Sequence, residues 1–158
     1  YAFQGTSDAR LVAVALQSMW KGIGANVSLH PADPQIHYNE LRRQHFQAAW
    51  AGWSADYMDA KDFVFLGQTS SNDMNIGHYS NPKFDALVAK SDVTHDPVER
   101  GQILQQAEQL MLDDSPFAPV YYAVSRNIVS KQVRNWIGNT ININRTRYLR
   151  LDRAVAEV

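Results

Sequence analysis

The sequence predicts an α/β fold, and three observations carry the prediction. Apolar stripes at helical spacing alternate with short apolar runs that suit strands. Pairs such as Asn81-Pro82 and Asp96-Pro97 mark helix starts, while Gly22 and Gly24 mark a helix end. Apolar residues make up 45% of 158, enough for one domain with a packed core.

In chain order, YAFQGTSD reads as the end of a strand running into a helix cap. Ser7 caps a helix from about Asp8 to Lys21, with Leu11, Val12, Ala15, Leu16, Met19 and Trp20 as its apolar stripe. A short strand is expected at 26–29, a loop at HPADP, a short helix over 38–45 and a buried strand over 46–53. A helix over 60–66 precedes the polar turn SSNDMNIGHYSNP. Asn81-Pro82 opens a helix with Phe84, Leu87 and Val88 inward. Asp96-Pro97-Val98-Glu99 resembles a capping box, and the long helix behind it turns Ile103, Leu104, Ala107, Leu110 and Met111 to one face. Pro116 stops it; strands are expected at 117–124 and 127–130, and irregular chain from Val133 on.

Composition excludes several functions. A net charge of −1 argues against a dedicated nucleic-acid binder. Without cysteine there is no disulfide and no thiolate metal site. No run is apolar enough to span a bilayer as a helix. The start looks interrupted, so the missing signal peptide says little about location. Residues 126–153 hold seven basic side chains (Arg126, Lys131, Arg134, Arg145, Arg147, Arg150 and Arg153) against one acid, Asp152. They read as a solvated tail, or as a strip that docks on an acidic partner surface.

Catalytic and metal motifs are missing too. His30, His37, His45, His78 and His95 lack zinc-helix spacing and read as scattered surface residues, so no metal site is expected. There is no Gly-rich phosphate loop and no Gly-x-Ser-x-Gly elbow. Asp56 pairs in sequence with Asp59 or Asp62, but acids near a turn are more often caps than general acids. Asp59 and Asp62 read as caps of the following helix.

That leaves AAWAGWSADYMDAKDF, residues 48–63. Asp56 can be an N-cap with Trp50 and Trp53 as core. Alternatively the segment is a recognition site: an indole is a rigid apolar wall, and a carboxylate just past a strand end pairs with an ammonium group. In open α/β sheets ligands gather beyond strand ends.

The order of motifs resembles the C-terminal part of the periplasmic oligopeptide- and dipeptide-binding proteins of ABC importers. TSD at a helix start, MWKGIGANVSL, AGWSADYMDAKDF, YSNPKFDALVAK and DPVERGQILQQAEQLMLDDSPFAPVYYAVSRNIVS follow in the family's sequence. VRNWIGNTININRTRYL resembles the closing segment of an α-proteobacterial branch. Together these cover nearly the whole chain.

The resemblance implies the C-terminal lobe of a bilobed clamshell, a mixed sheet flanked by helices. Residues 1–130 would be most of that second lobe, and 131–158 a tail returning to the missing N-terminal lobe. It implies a solute-binding component that captures peptides or similar amine-bearing solutes in the periplasm, delivers them to permease subunits, and uses no cofactor, no metal and no catalysis. The signal peptide would lie outside this piece. By the family pattern Asp56 pairs with the peptide α-amino group, Trp53 lines a side-chain pocket and Ser54 faces the ligand. Trp50 stands where some relatives carry a carboxylate-managing Arg, and Ala123 where some place a ligand-facing Tyr. Arg42 and Arg10 match or lie near family arginines across alignment gaps. The alternatives are an interaction module formed by the isolated lobe, or a hydrolase using Asp56 with a histidine such as His78.

Overall fold

A computed structural model describes residues 1–139 and 142–152. The fold is α/β, with helices dominant and a minimal parallel sheet at one end. Strand β1 (Ala2–Gln4) pairs in parallel with β2 (His30–Ala32). On its other edge it takes one parallel bridge, Ala2 to Ala49. The Ala2 amide donates to the Ala48 carbonyl at 2.9 Å, and the Trp50 amide to the Ala2 carbonyl at 2.8 Å. The strand expected over 46–53 shrinks to this bridge, because the three residues of β1 offer no longer ladder.

β1 runs into helix α1 (Ser7–Gly22), capped by Thr6 rather than by Ser7; the Thr6 hydroxyl accepts the Ala9 amide at 3.4 Å. Ala9 and Ala13 pack with Phe3 in a small core edged by Tyr1, Leu29 and Trp50. Leu11, Ala15 and Met19 of the expected stripe face outward. A three-residue strand is a narrow platform, so it covers only the strip centred on the two alanines. The strand expected at 26–29 lies instead at β2. Pro31 sits in it, tolerated because β2 has one unpaired edge among the described residues.

Helix α2 (Pro34–Arg42) starts four residues before the expected position. HPADP holds the same Asx-Pro device as the later helices: Asp33 Oδ1 accepts the Gln35 amide at 3.0 Å, and Pro34 sits at the first helical position. Helix α3 (Lys61–Val64) continues into a tighter turn, Phe65–Gly67, as expected. Next comes an irregular loop built on buried Asn75. Its side-chain amide donates to the Gln68 and Tyr79 carbonyls and accepts the Tyr79 amide.

Helices α4 (Pro82–Val93) and α5 (Pro97–Asp114) form the second and larger core, with Phe84, Val88, Leu104, Ala107 and Met111 packed against Val64 of α3. Asn81 Oδ1 accepts the Lys83 amide at 2.9 Å, and Asp96 Oδ1 the Glu99 amide at 2.7 Å. α5 ends at Ser115, whose φ of 57° breaks the helix one residue before Pro116. Ion pairs tie α3 and the residues before it to both helices: Arg100 of α5 grips Asp59 through both oxygens at 2.7 and 2.9 Å, and Lys61 pairs with Asp92 of α4.

The strands expected at 117–124 and 127–130 are not formed. Val120, Tyr121, Tyr122, Val124 and Ile128 are exposed, and no described strand pairs with them. The region from Val133, expected to be irregular, contains β3 (Val133–Arg134) paired antiparallel with β4 (Arg150–Leu151). Arg134 pairs with Asp152 at 3.2 Å, and Arg147 lies over the Tyr148 ring. Arg153 lies outside the described residues.

Two stability outcomes are expected. A Cβ at buried Gly67 would lie 2.7 Å from Met111 Sδ and 3.0 Å from Phe84 Cζ, inside the larger core. Gly67→Ala should therefore cost about 1–3 kcal/mol in denaturant unfolding, with the fold retained. The Arg100 side-chain hydrogen bonds hold the Asp59 carboxyl below its ordinary value, aided by the Lys61 amide and nearby positive charge and opposed by burial. A depressed folded-state value means the stabilisation is complete above the unfolded value and fades as pH falls through the folded one. Asp59→Asn should lower the melting temperature by about 2–4 °C at neutral pH. The gap between mutant and wild type should close as pH drops below the ordinary carboxylate range.

Candidate functional site

The Ala49 bridge directs the chain out beyond the C-terminal end of the parallel strands. From there residues 51–58 form no regular structure until α3 begins. Two anchors flank this loop. Before it, His37 of α2 is buried and its Nε2 donates to the Trp50 carbonyl at 2.8 Å. This corrects the expectation that all five histidines are surface residues: His37 staples α2 to the bridge. Its Nδ1 has no partner among the described residues. After the loop, Asp62 on α3 accepts the Trp53 indole N–H at 3.2 Å and the Asp56 amide at 2.7 Å, both on Oδ2.

The three acids of the segment meet different fates. Asp59 does cap, accepting the Lys61 amide at 2.8 Å, and it also binds Arg100. Asp62 does not cap: it is buried and faces back to the loop. Asp56 does not cap either. Ala60, just before α3, has no side chain that could cap, and the side-chain bond at the start of α3 comes from Asp59; no hydrogen bond or ion pair among the described residues engages the exposed Asp56 carboxylate.

Trp53 is half-buried, edge-on to Phe65 with ring centres 5.5 Å apart. It lines a largely apolar cavity of about 360 Å³ with Tyr38, Arg42, Leu66, Met74 and Phe117, and with the acid Asp73. Arg42, in the last turn of α2, thus shares a pocket with Trp53. Ser54 is exposed next to Trp53. Trp50 is not a cavity wall: it packs against the small core and lies under Gly52, where a Cβ would meet its Cη2 at 3.5 Å. Arg10, exposed on α1, is not among the cavity residues.

Sequence reasoning missed Tyr38, Leu66, Met74, Ile76 and Phe117 as walls. Phe117 had a signal, since Pro116 ends a helix just before it, yet the apolar run behind it reads as a strand. A Cβ at Gly77 would lie 3.6 Å from the Pro116 carbonyl oxygen and 3.9 Å from the Phe117 ring, so the cavity loop runs beside that ring. Nothing local announces Met74 or Ile76, because buried Asn75 sets their placement.

The arrangement offers a carboxylate that is exposed and unpartnered among the described residues, an apolar cavity with an indole wall, and a guanidinium and a second carboxylate, Asp73, at that cavity. A group of three or more metal-ligand side chains does not occur among the described residues.

A family model described as bacterial extracellular solute-binding proteins, family 5 Middle, matches residues 1–75. The chain is similar to the periplasmic oligopeptide-binding protein OppA of Escherichia coli K12, 34% identical over 135 residues, covering 84% of this chain and 25% of that protein. It is also similar to the probable deoxycholate-binding periplasmic protein YgiS of Escherichia coli K12, 32% identical over 111 residues, covering 70% of this chain and 21% of that protein. The solved structure of Haemophilus influenzae OppA in complex with RPPGFSPFR matches with a TM-score of 0.86 at 25% identity, covering 96% of this chain and 30% of that one. The chain spans about a quarter of the length of the curated relatives it matches. By these matches of sequence and fold, the chain belongs to the bacterial extracellular solute-binding proteins of family 5.

Proposed function

We propose that this chain is part of the solute-binding component of an ABC importer, capturing peptides or similar amine-bearing solutes in the periplasm and passing them to permease subunits without catalysis. The observation that carries the reading is Asp56: of three neighbouring acids it alone keeps its carboxylate in solvent and unpartnered among the described residues, three positions past the cavity wall Trp53. Every free peptide has one terminal ammonium, so a fixed carboxylate sets its register whatever its sequence. An apolar cavity then takes varied side chains. The relatives support the reading, since two of those named above are oligopeptide-binding by name, one of them solved with a nonapeptide bound.

In this proposal Asp56 holds the ammonium, Trp53 and Ser54 face the ligand, and Arg42 stands at the cavity. Trp50 backs the loop and Arg10 lies at the margin. Residues 1–130 form most of one lobe of a clamshell, and 131–158 return to the other. The exposed row of Val120, Tyr121, Tyr122, Val124 and Ile128 fits a surface covered in the whole protein, since soluble monomers rarely leave a large apolar patch bare. A second reading, an amphipathic carboxylic acid as ligand, is favoured by Arg42 at an apolar cavity and by the similarity to a probable deoxycholate-binding protein.

In the whole protein, Asp56→Asn should weaken peptide binding roughly 30-fold or more, because the ammonium is left unpaired in a closed cleft. Its melting temperature should not move, since no described bond is lost. Calorimetry with free and N-acetylated peptides decides between the readings: equal binding of the two by the wild type would remove the amine anchor and leave the acid ligand standing. The 158-residue chain alone should bind the same peptides far more weakly than the whole protein, because a clamshell ligand touches both lobes. Matching affinities would contradict the clamshell assignment.

A further inference from the structure

We propose that Asp62 is a positioning residue of this site, holding the Trp53 indole and the Asp56 backbone in one register; the inference rests on the amine-anchor reading above. Its carboxylate is 2% exposed, yet neither an ion pair nor a metal group among the described residues neutralises it. What it does have is two N–H donors on one oxygen, the Trp53 indole at 3.2 Å and the Asp56 amide at 2.7 Å. Among the described residues no other hydrogen bond engages residues 51–56. The Trp53 ring also packs on Phe65, but the hydrogen bonds that hold the loop between Trp50 and Tyr57 among the described residues all end on this one carboxylate.

The geometry suits positioning. Asp62 sits on α3, and α3 is fixed from three sides: Val64 enters the larger core, Lys61 pairs with Asp92, and Asp59 just before it is gripped by Arg100. A rigid element thus carries the acceptor, and the flexible segment carries the donors, which is how a preorganised site is supported. Charge-assisted bonds of this type are shorter and stronger than neutral ones. Because both donors share Oδ2, moving the indole wall and moving the anchor are coupled. The pocket and the carboxylate keep a constant separation, which suits a peptide whose terminal ammonium and first side chain are both borne by one α-carbon.

The test uses the whole protein and two retained pools. An equimolar mixture of random tripeptides and its N-acetylated counterpart, distinguished by isotope labels, is bound, washed and quantified by mass spectrometry. Wild type should retain the free pool preferentially. Asp62→Leu, which has similar size and no acceptor, should lose that preference by about tenfold or more. Asp62→Asn keeps an acceptor oxygen for both donors and should restore most of it.

Preference left intact in folded Asp62→Leu overturns the inference alone, and so does an equal loss in the Leu and Asn variants, which would assign the effect to charge. A wild type that does not discriminate overturns the amine anchor and this inference with it. Should Asp62→Leu not fold, hydrogen exchange in the isotope-labelled wild type decides. The Trp53 indole N–H and the Asp56 amide should both exchange much more slowly than the amide of exposed Ser54, and exchange as fast as Ser54 would refute the restraint.

Discussion

Three residues, Ala2–Gln4, are bonded along both edges, and the presentation of the site depends on them. One edge holds β2 and thereby sets the entry to α2; the other holds Ala48 to Trp50 and sets the direction in which the loop leaves. The same strand feeds α1, whose alanines close over Phe3. A parallel arrangement this short gains little from its own ladder, so its stability comes from what packs on it. The buried His37, bonded to the Trp50 carbonyl, is part of that packing and locks α2 to the outgoing chain.

Beyond the bridge, electrostatics rather than hydrophobic burial decides what each residue can do. Asp56, Asp59 and Asp62 recur every three positions, and repulsion alone would oppose such a cluster. Arg100 and Lys61 neutralise the surroundings of Asp59, and Asp62 is satisfied by two N–H groups. Of the three, Asp56 is the acid whose carboxylate has no partner among the described residues. Bonds to the flanking acids thus do more than hold the loop: of these three acids they leave Asp56 as the one open to an ammonium, while exposed Asp73 stands at the cavity.

Much of the helical framework was legible because its signals are local. Asn81-Pro82 and Asp96-Pro97 announce α4 and α5, and the inward faces of Phe84, Val88, Leu104, Ala107 and Met111 follow from helical spacing. The start of α2 carries the same signal at Asp33-Pro34, hidden by a second proline that made HPADP read as loop. The strands were poorly legible because a strand exists only with a partner. Apolar runs at 46–53, 117–124 and 127–130 look alike in sequence, yet only the first meets β1, and at one residue. For the candidate site, spacing left Asp56 and Trp53 between a cap-and-core and a recognition reading and only the family resemblance singled them out, whereas Met74, Ile76 and Phe117 come together through Asn75 and Gly77, which link distant segments.

Asp62 shows why spacing could not assign these acids. An aspartate one residue into a short helix has the sequence context of a first-turn acid, and the helix dipole would reward it there. That reward is worth less than what the fold offers it. A buried carboxylate left without donors is costly, and the indole and amide arriving from the loop are two donors that would otherwise compete with water. The side chain therefore turns away from its own helix and toward a segment six to nine residues earlier. Asp59 makes the complementary choice: it caps locally with one oxygen and still reaches Arg100 across 41 residues. Only Asp56, with neither a helix start nor a cation to serve among the described residues, is left facing solvent, and that is the property a binding carboxylate needs.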